Sequence, residues 1–146
     1  MSFKPKFKTV DTVDKVADCI NMPHEDYPAR VPLTQLMVET LIGNGCSKID
    51  TFTMRQVHSA VFHGLASRGG YRTMPVTVSG NPTSDPLLIA EQMEELGSVS
   101  VSDDLSEWYR KFQTIHPFED GNGRVGGIVV AVLSYLRDGV YMAPCQ

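Results

Sequence analysis

The feature that most constrains this chain is a short polar segment that leads directly into a long apolar one. Residues 116–124 read HPFEDGNGR, and the following residues, VGGIVVAVLSYL, are almost all apolar. The apolar segment predicts a helix that begins around Gly123 or Arg124 and ends near Asp138, with Gly139 well placed as the left-handed residue that closes it. The glycine–asparagine–glycine sequence is therefore a loop that enters the N-terminus of a helix.

A loop of this kind at a helix N-terminus is suited to binding an anion. Backbone amides and the positive end of the helix dipole meet there, and Gly121 and Gly123, on either side of Asn122, allow a ligand to approach closely. Arg124 in the first turn could bind a phosphate through two hydrogen bonds. The expected ligand is a di- or polyphosphate. Asp120 would repel it unless a divalent cation such as Mg²⁺ bridges the two.

His116 lies four residues before Asp120, on the loop side of the predicted phosphate site. A histidine with an ordinary pKa near ~6.5 can take a proton from a hydroxyl at neutral pH. These residues together predict a site for phosphoryl or nucleotidyl transfer, in which Phe118 anchors the loop in the core.

The rest of the chain predicts a mainly helical domain, because apolar residues recur at helical spacing. The apolar stripes are Val10, Val13, Ala17 and Ile20; Leu33, Leu36, Met37, Thr40 and Leu41; Met54, Val57, Val61 and Leu65; and Leu105, Trp108, Tyr109, Phe112 and Ile115. Thr53 and Gln56 have the spacing of a capping box at the start of the third stripe. Asp85 before Pro86 predicts the start of a helix that ends near Leu96.

Two histidines on the third stripe need no catalytic role. His58 and His63 are expected to be ordinary polar residues on a helix surface. The last stripe belongs to a helix that is predicted to begin near Ser102 and to lead the chain to His116.

One segment between the predicted helices has the two-residue alternation that is typical of a β-strand. Residues 69–81 read GGYRTMPVTVSGN, in which Tyr71 and Thr73, and then Val76 and Val78, alternate along the chain. Glycines stand near both ends. The pattern predicts a β-hairpin or extended flap over about residues 69–81.

Composition limits the class of protein. A length of 146 residues with 42% hydrophobic residues fits a single domain over residues 1–146. A net charge of −4 argues against a nucleic-acid partner, and no apolar run approaches a membrane span. The cysteines Cys19, Cys46 and Cys145 are odd in number and lack metal-site spacing, which favours a reducing, cytoplasmic location.

The segment HPFEDGNGR resembles the signature of Fic-domain proteins, H-P-F-x-[DE]-G-N-[GK]-R-x-x-R, at every specified position except the last. Residues 69–81 are also similar to the flap that precedes this signature in the family. The resemblance implies a mainly α, Fic-like helical domain with a short β-hairpin flap beside the active site. The motif loop and the helix after it would span residues 116–138.

The resemblance implies a role for each matching residue. His116 would be the general base that deprotonates a Ser, Thr or Tyr hydroxyl of a target protein, and Asp120 would hold Mg²⁺. ATP or another nucleotide-containing donor would bind through the four residues Gly121, Asn122, Gly123 and Arg124. The flap would dock the target by β-strand addition, through Tyr71, Arg72, Thr73, Val76, Thr77 and Val78.

Gly127 stands where the family signature has its final arginine, which contacts the distal phosphate of ATP. In autoinhibited members that arginine pairs with a glutamate followed by Gly or Asn, and no glutamate here has such a neighbour. No inhibitory motif is therefore expected in this chain, and a separate inhibitor protein is a candidate partner. Arg137 lies about 20 Å farther along the helix and cannot substitute, whereas Arg72 is a candidate substitute.

An arginine introduced at position 127 would be expected to tighten ATP binding. Helix propensity favours the change, unless the glycine is present for close helix packing. A contact between an arginine at this position and the distal phosphate would contribute about 1.5 to 3 kcal/mol. Its absence weakens ATP binding but leaves the base and the metal ligand in place.

The predicted function is transfer of a nucleotidyl group, AMP first among them, or a related phosphate-containing group onto a protein hydroxyl. One alternative is a degenerate Fic fold that binds a phosphate ligand or a partner without catalysis. Another is a structural domain in which HPFEDGNGR is only a tight turn, although a turn has no need of His116, Asp120 and Arg124. The small size resembles that of compact bacterial or phage Fic proteins. Secretion into a host cell is an alternative to the cytoplasmic location.

Overall fold

The computed structural model describes residues 6–20, 30–61, 69–78 and 80–144. Helices account for 59% of these residues, so the predicted mainly α fold is confirmed. The helices are α1 (Val13–Ile20), α2 (Arg30–Gly43), α3 (Thr51–Val61), α4 (Ile89–Leu96, after a 3₁₀ turn at Pro86–Leu88), α5 (Leu105–Ile115) and α6 (Asn122–Asp138). His63, Leu65 and Cys145 lie outside the described residues.

In the described parts of the chain, three short antiparallel pairs of strands accompany the helices. They pair β1 (Phe7–Val10) with β6 (Tyr141–Pro144), β2 (Lys48–Ile49) with β5 (Val99–Ser100), and β3 (Thr77–Val78) with β4 (Asn81–Pro82). The first pair joins the beginning and the end of the described chain beside α6.

Helix α6 lies at the centre of the fold. Every residue from Val125 to Ser134 is buried, and α1, α2, α3, α5 and β6 all contact this helix. A helix that is apolar on all sides can only be buried on all sides. Its N-terminus, which carries the motif loop, is therefore held by the core rather than by a mobile surface element.

Two adjacent glycines let neighbours approach α6 closely. A Cβ on Gly126 would lie 2.9 Å from Nε2 of Gln113 in α5. A Cβ on Gly127 would lie 2.9 Å from Cγ1 of Ile20 in α1 and 3.2 Å from Cγ of Pro144 in β6. The pair of glycines is thus a packing feature of the central helix.

Of three predicted helix starts, two differ in detail from the structure and one is confirmed. The capping box at Thr53 is wrong, because α3 begins at Thr51 and the carboxylate of Asp50 accepts the Thr53 amide at 2.8 Å. Helix α5 begins at Leu105 rather than near Ser102, since Asp104 provides its N-cap. The predicted cap at Asp85 is confirmed, because its carboxylate accepts the Leu87 amide at 2.9 Å.

The first apolar stripe also divides between two elements. Val10, predicted to be helical, belongs to β1 and pairs with Tyr141. Helix α1 begins only at Val13. The strand forms because the distant β6 provides a partner, which a local pattern cannot indicate.

The predicted hairpin is present but shorter than its sequence suggests. Val78 pairs with Asn81, and Gly80 between them has a φ of 79°. Tyr71 to Thr73 form no strand, because the Arg72 amide donates to the carbonyl of Pro117 at 2.8 Å instead of joining a ladder.

Within the described ranges, none of the helices is long and apolar enough to cross a membrane.

Candidate active site

His116 ends α5 in a strained conformation. Its amide donates to the Phe112 carbonyl at 2.9 Å, and its backbone is left-handed, with φ 53° and ψ 62°. It is the one non-glycine residue with a positive φ in the part of the chain that the structure describes. Such a conformation costs on the order of 1–3 kcal/mol and is typical of functional positions.

Phe118 and Asn122 fix the loop that follows. The ring of Phe118 is fully buried, which confirms its predicted role as an anchor. The side chain of Asn122 accepts the Phe118 amide at 2.9 Å and donates to the Phe118 carbonyl at 2.8 Å. The Asn122 side chain therefore holds the loop together, so any phosphate contact from this residue would come from its backbone amide.

Replacing Asn122 with alanine is expected to destabilise the fold by about 1–3 kcal/mol. The change removes both hydrogen bonds and leaves the Phe118 amide and carbonyl buried without this partner. Thermal unfolding of the purified variant measures the loss. Asn44→Ala, at an exposed turn, is the control and should change stability by less than about 0.5 kcal/mol.

His58 supports the same loop from α3. Its Nδ1 accepts the Gly69 amide at 2.8 Å, so Nε2 carries the proton and donates to the Asp120 carbonyl at 2.9 Å. Its ring stacks on Phe118, with 4.1 Å between centroids. Burial lowers the pKa of His58 and favours this neutral form. The expectation of a surface residue is wrong, because the side chain is buried and joins the motif loop to the start of the flap.

Asp120 lies at the mouth of the site. Its side chain is 69% exposed, and Oδ1 accepts the Gly121 amide at 2.8 Å. Nη1 of Arg124 lies 3.9 Å from the same oxygen. Asp120 therefore occupies the Gly121 amide, which was one of those expected to bind phosphate.

The N-terminus of α6 provides backbone donors next to Asp120. Gly121 has a φ of 86° and ψ of 12°, a left-handed conformation that favours glycine. The first intrahelical bond runs from the Val125 amide to the Gly121 carbonyl, so the amides of Asn122 and Gly123 have no acceptor within the helix. An anion at this helix end would receive these donors and the helix dipole.

A cleft of about 180 Å³ brings most of the sequence-predicted site together. It is lined by His116, Asp120, Gly121, Asn122, Gly123, Arg124 and Ile20. Ile20 was not anticipated, because nothing in its apolar stripe distinguishes it from an ordinary core residue. It forms an apolar wall beside the polar loop.

The same isoleucine accounts for the glycine at position 127. Ile20 and Pro144 fill the space into which a side chain from Gly127 would project. The exception made in the sequence prediction, a glycine present for close helix packing, therefore applies, and an arginine cannot be added there without cost to folding. The glycine serves close packing between α6, α1 and β6.

Arg72 is not available as a substitute for the missing arginine. Its side chain is 4% exposed. Its guanidinium donates to backbone carbonyls of Met74, Ser84, Ile115 and His116 and to the Thr83 hydroxyl. The hypothesis that Arg72 contacts a distal phosphate is wrong, because the residue is buried and each of its three guanidinium nitrogens already donates to the protein.

The other predicted flap residues differ in exposure. Thr73 and Thr77 are exposed, whereas Val76 and Val78 are half-buried. Tyr71 packs toward the core, with its ring 5.9 Å from that of Phe118.

Met74, which was not among the residues predicted to dock the target, is 67% exposed in the flap segment. Target docking through the flap remains a prediction.

The surroundings of His116 favour a neutral imidazole. Burial is the main cause that lowers its pKa, and the charge of Arg72 acts in the same direction. The nearby Gln113 carbonyl and the charge of Asp120 oppose this shift. Nδ1 is buried and has no hydrogen-bond partner among residues 6–20, 30–61, 69–78 and 80–144. A neutral ring in the cleft can accept a proton at neutral pH.

Asp120 fits the expected place of a magnesium ion. The described residues contain no group of three or more histidine, cysteine, aspartate or glutamate side chains that could form a protein-only metal site. Mg²⁺ typically binds through one or two carboxylates together with substrate phosphates and water. An exposed carboxylate beside an anion-binding helix end matches that donor set.

Fold and site together define a small, mainly helical protein with a histidine-bearing loop at the N-terminus of its central helix. The chain belongs to the Fic/DOC family, whose family model matches residues 48–134. The match runs from β2 into α6 and includes the flap and the whole motif loop. No curated protein matches the chain. Membership of the family places the protein with transferase-type enzymes.

Proposed function

We propose that this protein transfers AMP from ATP, or a related nucleotidyl group, onto a hydroxyl of a target protein. The observation that carries the proposal is the cleft in which His116 faces the N-terminus of α6 and Arg124. A base, an anion-binding helix end and a cation for phosphate are the parts that such a transfer needs.

The proposed reaction is a direct displacement at the donor's α-phosphorus. The target hydroxyl oxygen forms a bond to phosphorus while His116 accepts the hydroxyl proton. The bond from phosphorus to the bridging oxygen breaks, and pyrophosphate leaves with the electron pair. The Gly123 amide and Arg124 offset the negative charge on the phosphates. Mg²⁺ held by Asp120 would supply further charge neutralisation between the donor and the carboxylate.

The cleft favours a donor whose distal phosphate is not held by α6. Ile20 closes the side of the cleft next to Gly127, and this wall has no charge. A volume of 180 Å³ is also below the roughly 300 Å³ at which pockets for whole ligands begin. The described cleft would therefore hold the phosphate part of the donor, and ATP remains the first candidate among nucleotides.

The target would reach the cleft along the hairpin. Strands β3 and β4 form a two-stranded sheet, so each is an edge strand beside which an extended target segment would add. Exposed Thr73, Met74 and Thr77 would lie beside an extended target segment. We place the reaction in the cytoplasm of a bacterial or phage-infected cell, and the free thiols of Cys19 and Cys46 are compatible with a reducing compartment.

Labelled nucleotides test the proposal. Purified protein is incubated with Mg²⁺, a cell lysate and each of four nucleoside triphosphates labelled at the α-phosphate. We expect label from ATP on protein, and none with His116→Ala. Nucleotide retained by the protein without any transfer would favour the non-catalytic alternative, a Fic fold that only binds a phosphate ligand.

Replacing Asp120 with asparagine is expected to slow transfer on the order of 100-fold and to abolish its response to Mg²⁺. Asparagine keeps an oxygen for the Gly121 amide but loses the charge that attracts the cation, an effect worth several kcal/mol. The rate is measured across a Mg²⁺ titration.

Glu119→Gln is the matched control, because Glu119 is the neighbouring exposed carboxylate. It should keep the wild-type response to Mg²⁺. If the Asp120 variant were as active as the wild type, and equally active in excess chelator, Asp120 would not be the metal ligand.

A further inference from the structure

Arg72 is a buried cation with five acceptors. Nε donates to the His116 carbonyl at 2.6 Å, and Nη1 donates to the Met74 carbonyl at 2.8 Å. Nη2 donates to Thr83 Oγ1 at 3.0 Å, to the Ser84 carbonyl at 2.6 Å and to the Ile115 carbonyl at 3.2 Å.

These acceptors belong to two different parts of the site. Ile115 and His116 form the C-terminal end of α5, where carbonyls have no partner within the helix. A cation at this end also interacts favourably with the helix dipole. Met74, Thr83 and Ser84 flank the hairpin of β3 and β4. One side chain therefore joins the end of α5 to the hairpin.

The contact with His116 is made where the backbone is strained. A left-handed histidine is unfavourable unless its surroundings hold it. The Arg72 side chain binds the His116 carbonyl, and the Arg72 amide binds the next one, of Pro117, at 2.8 Å. Two bonds from one residue thus fix the peptide groups on the C-terminal side of the His116 Cα.

We infer that Arg72 is a positioning residue, which holds the His116 imidazole in the cleft and fixes the hairpin relative to it. This inference rests on the proposed role of His116 as the base. Arg72 itself contacts neither donor nor target hydroxyl in this account. It acts through the backbone of His116, so its loss should reduce the rate of transfer rather than the affinity for nucleotide.

Only arginine can make this set of contacts. Its planar guanidinium presents donors in several fixed directions, whereas lysine carries one compact ammonium group. Arg72→Lys therefore keeps the buried charge but cannot reach acceptors on both sides. Arg72→Gln loses the charge as well.

The test compares Arg72→Lys and Arg72→Gln with the control Arg110→Gln. Arg110 also lies on α5, but its guanidinium pairs with Glu107. Folding is followed by thermal unfolding, the reaction by kcat and by KM for donor and target, and the His116 ring by its NMR titration. We expect kcat to fall on the order of 100-fold in both Arg72 variants, as for a misplaced catalytic group, with nearly unchanged donor KM.

The NMR titration separates charge from geometry and needs no activity. Arg72 and Asp120 are the charged groups that act on His116. Arg72→Gln should raise the His116 pKa, because it removes a positive charge, whereas Arg72→Lys should leave it near the wild-type value despite its low kcat. Arg110→Gln should match the wild type throughout.

Wild-type kcat in a folded Arg72→Lys protein would overturn the inference, and this variant decides the case if Arg72→Gln does not fold. A wild-type protein without any transfer would instead refute the proposed function, and the NMR result would still report whether Arg72 acts on His116.

Discussion

Replacing His116 with alanine is expected to lower the rate of transfer by about 10²- to 10⁴-fold, the usual contribution of a general base. The ring lines the cleft, and its pKa is lowered, so it is neutral and able to accept a proton at pH 7. The phosphate contacts come from α6 and Arg124, so donor affinity should stay close to that of the wild type. Isothermal titration with ATP checks the affinity, and label transfer checks the rate.

His116→Asn is a second variant without a base, chosen because asparagine tolerates the left-handed backbone found here. Both variants should lose activity alike, which would separate the loss of the base from any change in loop conformation. Turnover at the wild-type rate in either folded variant would refute the mechanism.

The pH dependence of the wild-type reaction is an independent test of His116 as the base. Burial and the charge of Arg72 disfavour the imidazolium, so kcat/KM should rise with pH through a midpoint below ~6.5.

Replacing Gly127 with arginine is expected to destabilise the protein by several kcal/mol. The first side-chain carbon alone would lie 2.9 Å from Ile20 and 3.2 Å from Pro144. Overpacking of this kind typically costs 1–3 kcal/mol, and a buried guanidinium without a partner adds to the cost. The gain of about 1 kcal/mol in helix propensity is smaller. Chemical denaturation gives the change in the free energy of unfolding.

Gly43→Arg is the matched control, because a Cβ there meets nothing within 4 Å. It should be at least as stable as the wild type. Ile20→Ala should relieve part of the clash, so the double variant with Gly127→Arg should be more stable than the sum of the two single changes predicts. A Gly127→Arg protein as stable as the wild type would contradict the packing described for α6.

The grouping of the candidate site's central residues in one cleft could be predicted from the sequence because these residues are neighbours in the chain. His116, Asp120 and Arg124 lie in one loop and one helical turn, so local spacing is enough to bring them together. The apolar run of α6 likewise predicts its own burial. The cap at Asp85 was visible for the same reason, since its partner is two residues away.

The features that were missed depend on contacts between distant parts of the chain. His58 reaches a carbonyl 62 positions later, and Arg72 reaches one 44 positions later. Every residue has a backbone carbonyl, so an amino-acid pattern does not show which carbonyl a side chain binds. Neither role could therefore be inferred from the sequence. The reason for Gly127 lies in Ile20 and Pro144, which come from opposite ends of the described chain.

The most direct test of the account is the mass of the group that is transferred. Target proteins labelled in a lysate by the wild-type protein with ATP and Mg²⁺ are digested and sequenced by tandem mass spectrometry, with His116→Ala as the control. We expect a Ser, Thr or Tyr residue that carries one AMP moiety in the wild-type sample and is unmodified in the control. A phosphate alone on that residue, or the same modification with His116→Ala, would contradict AMP transfer with His116 as the base.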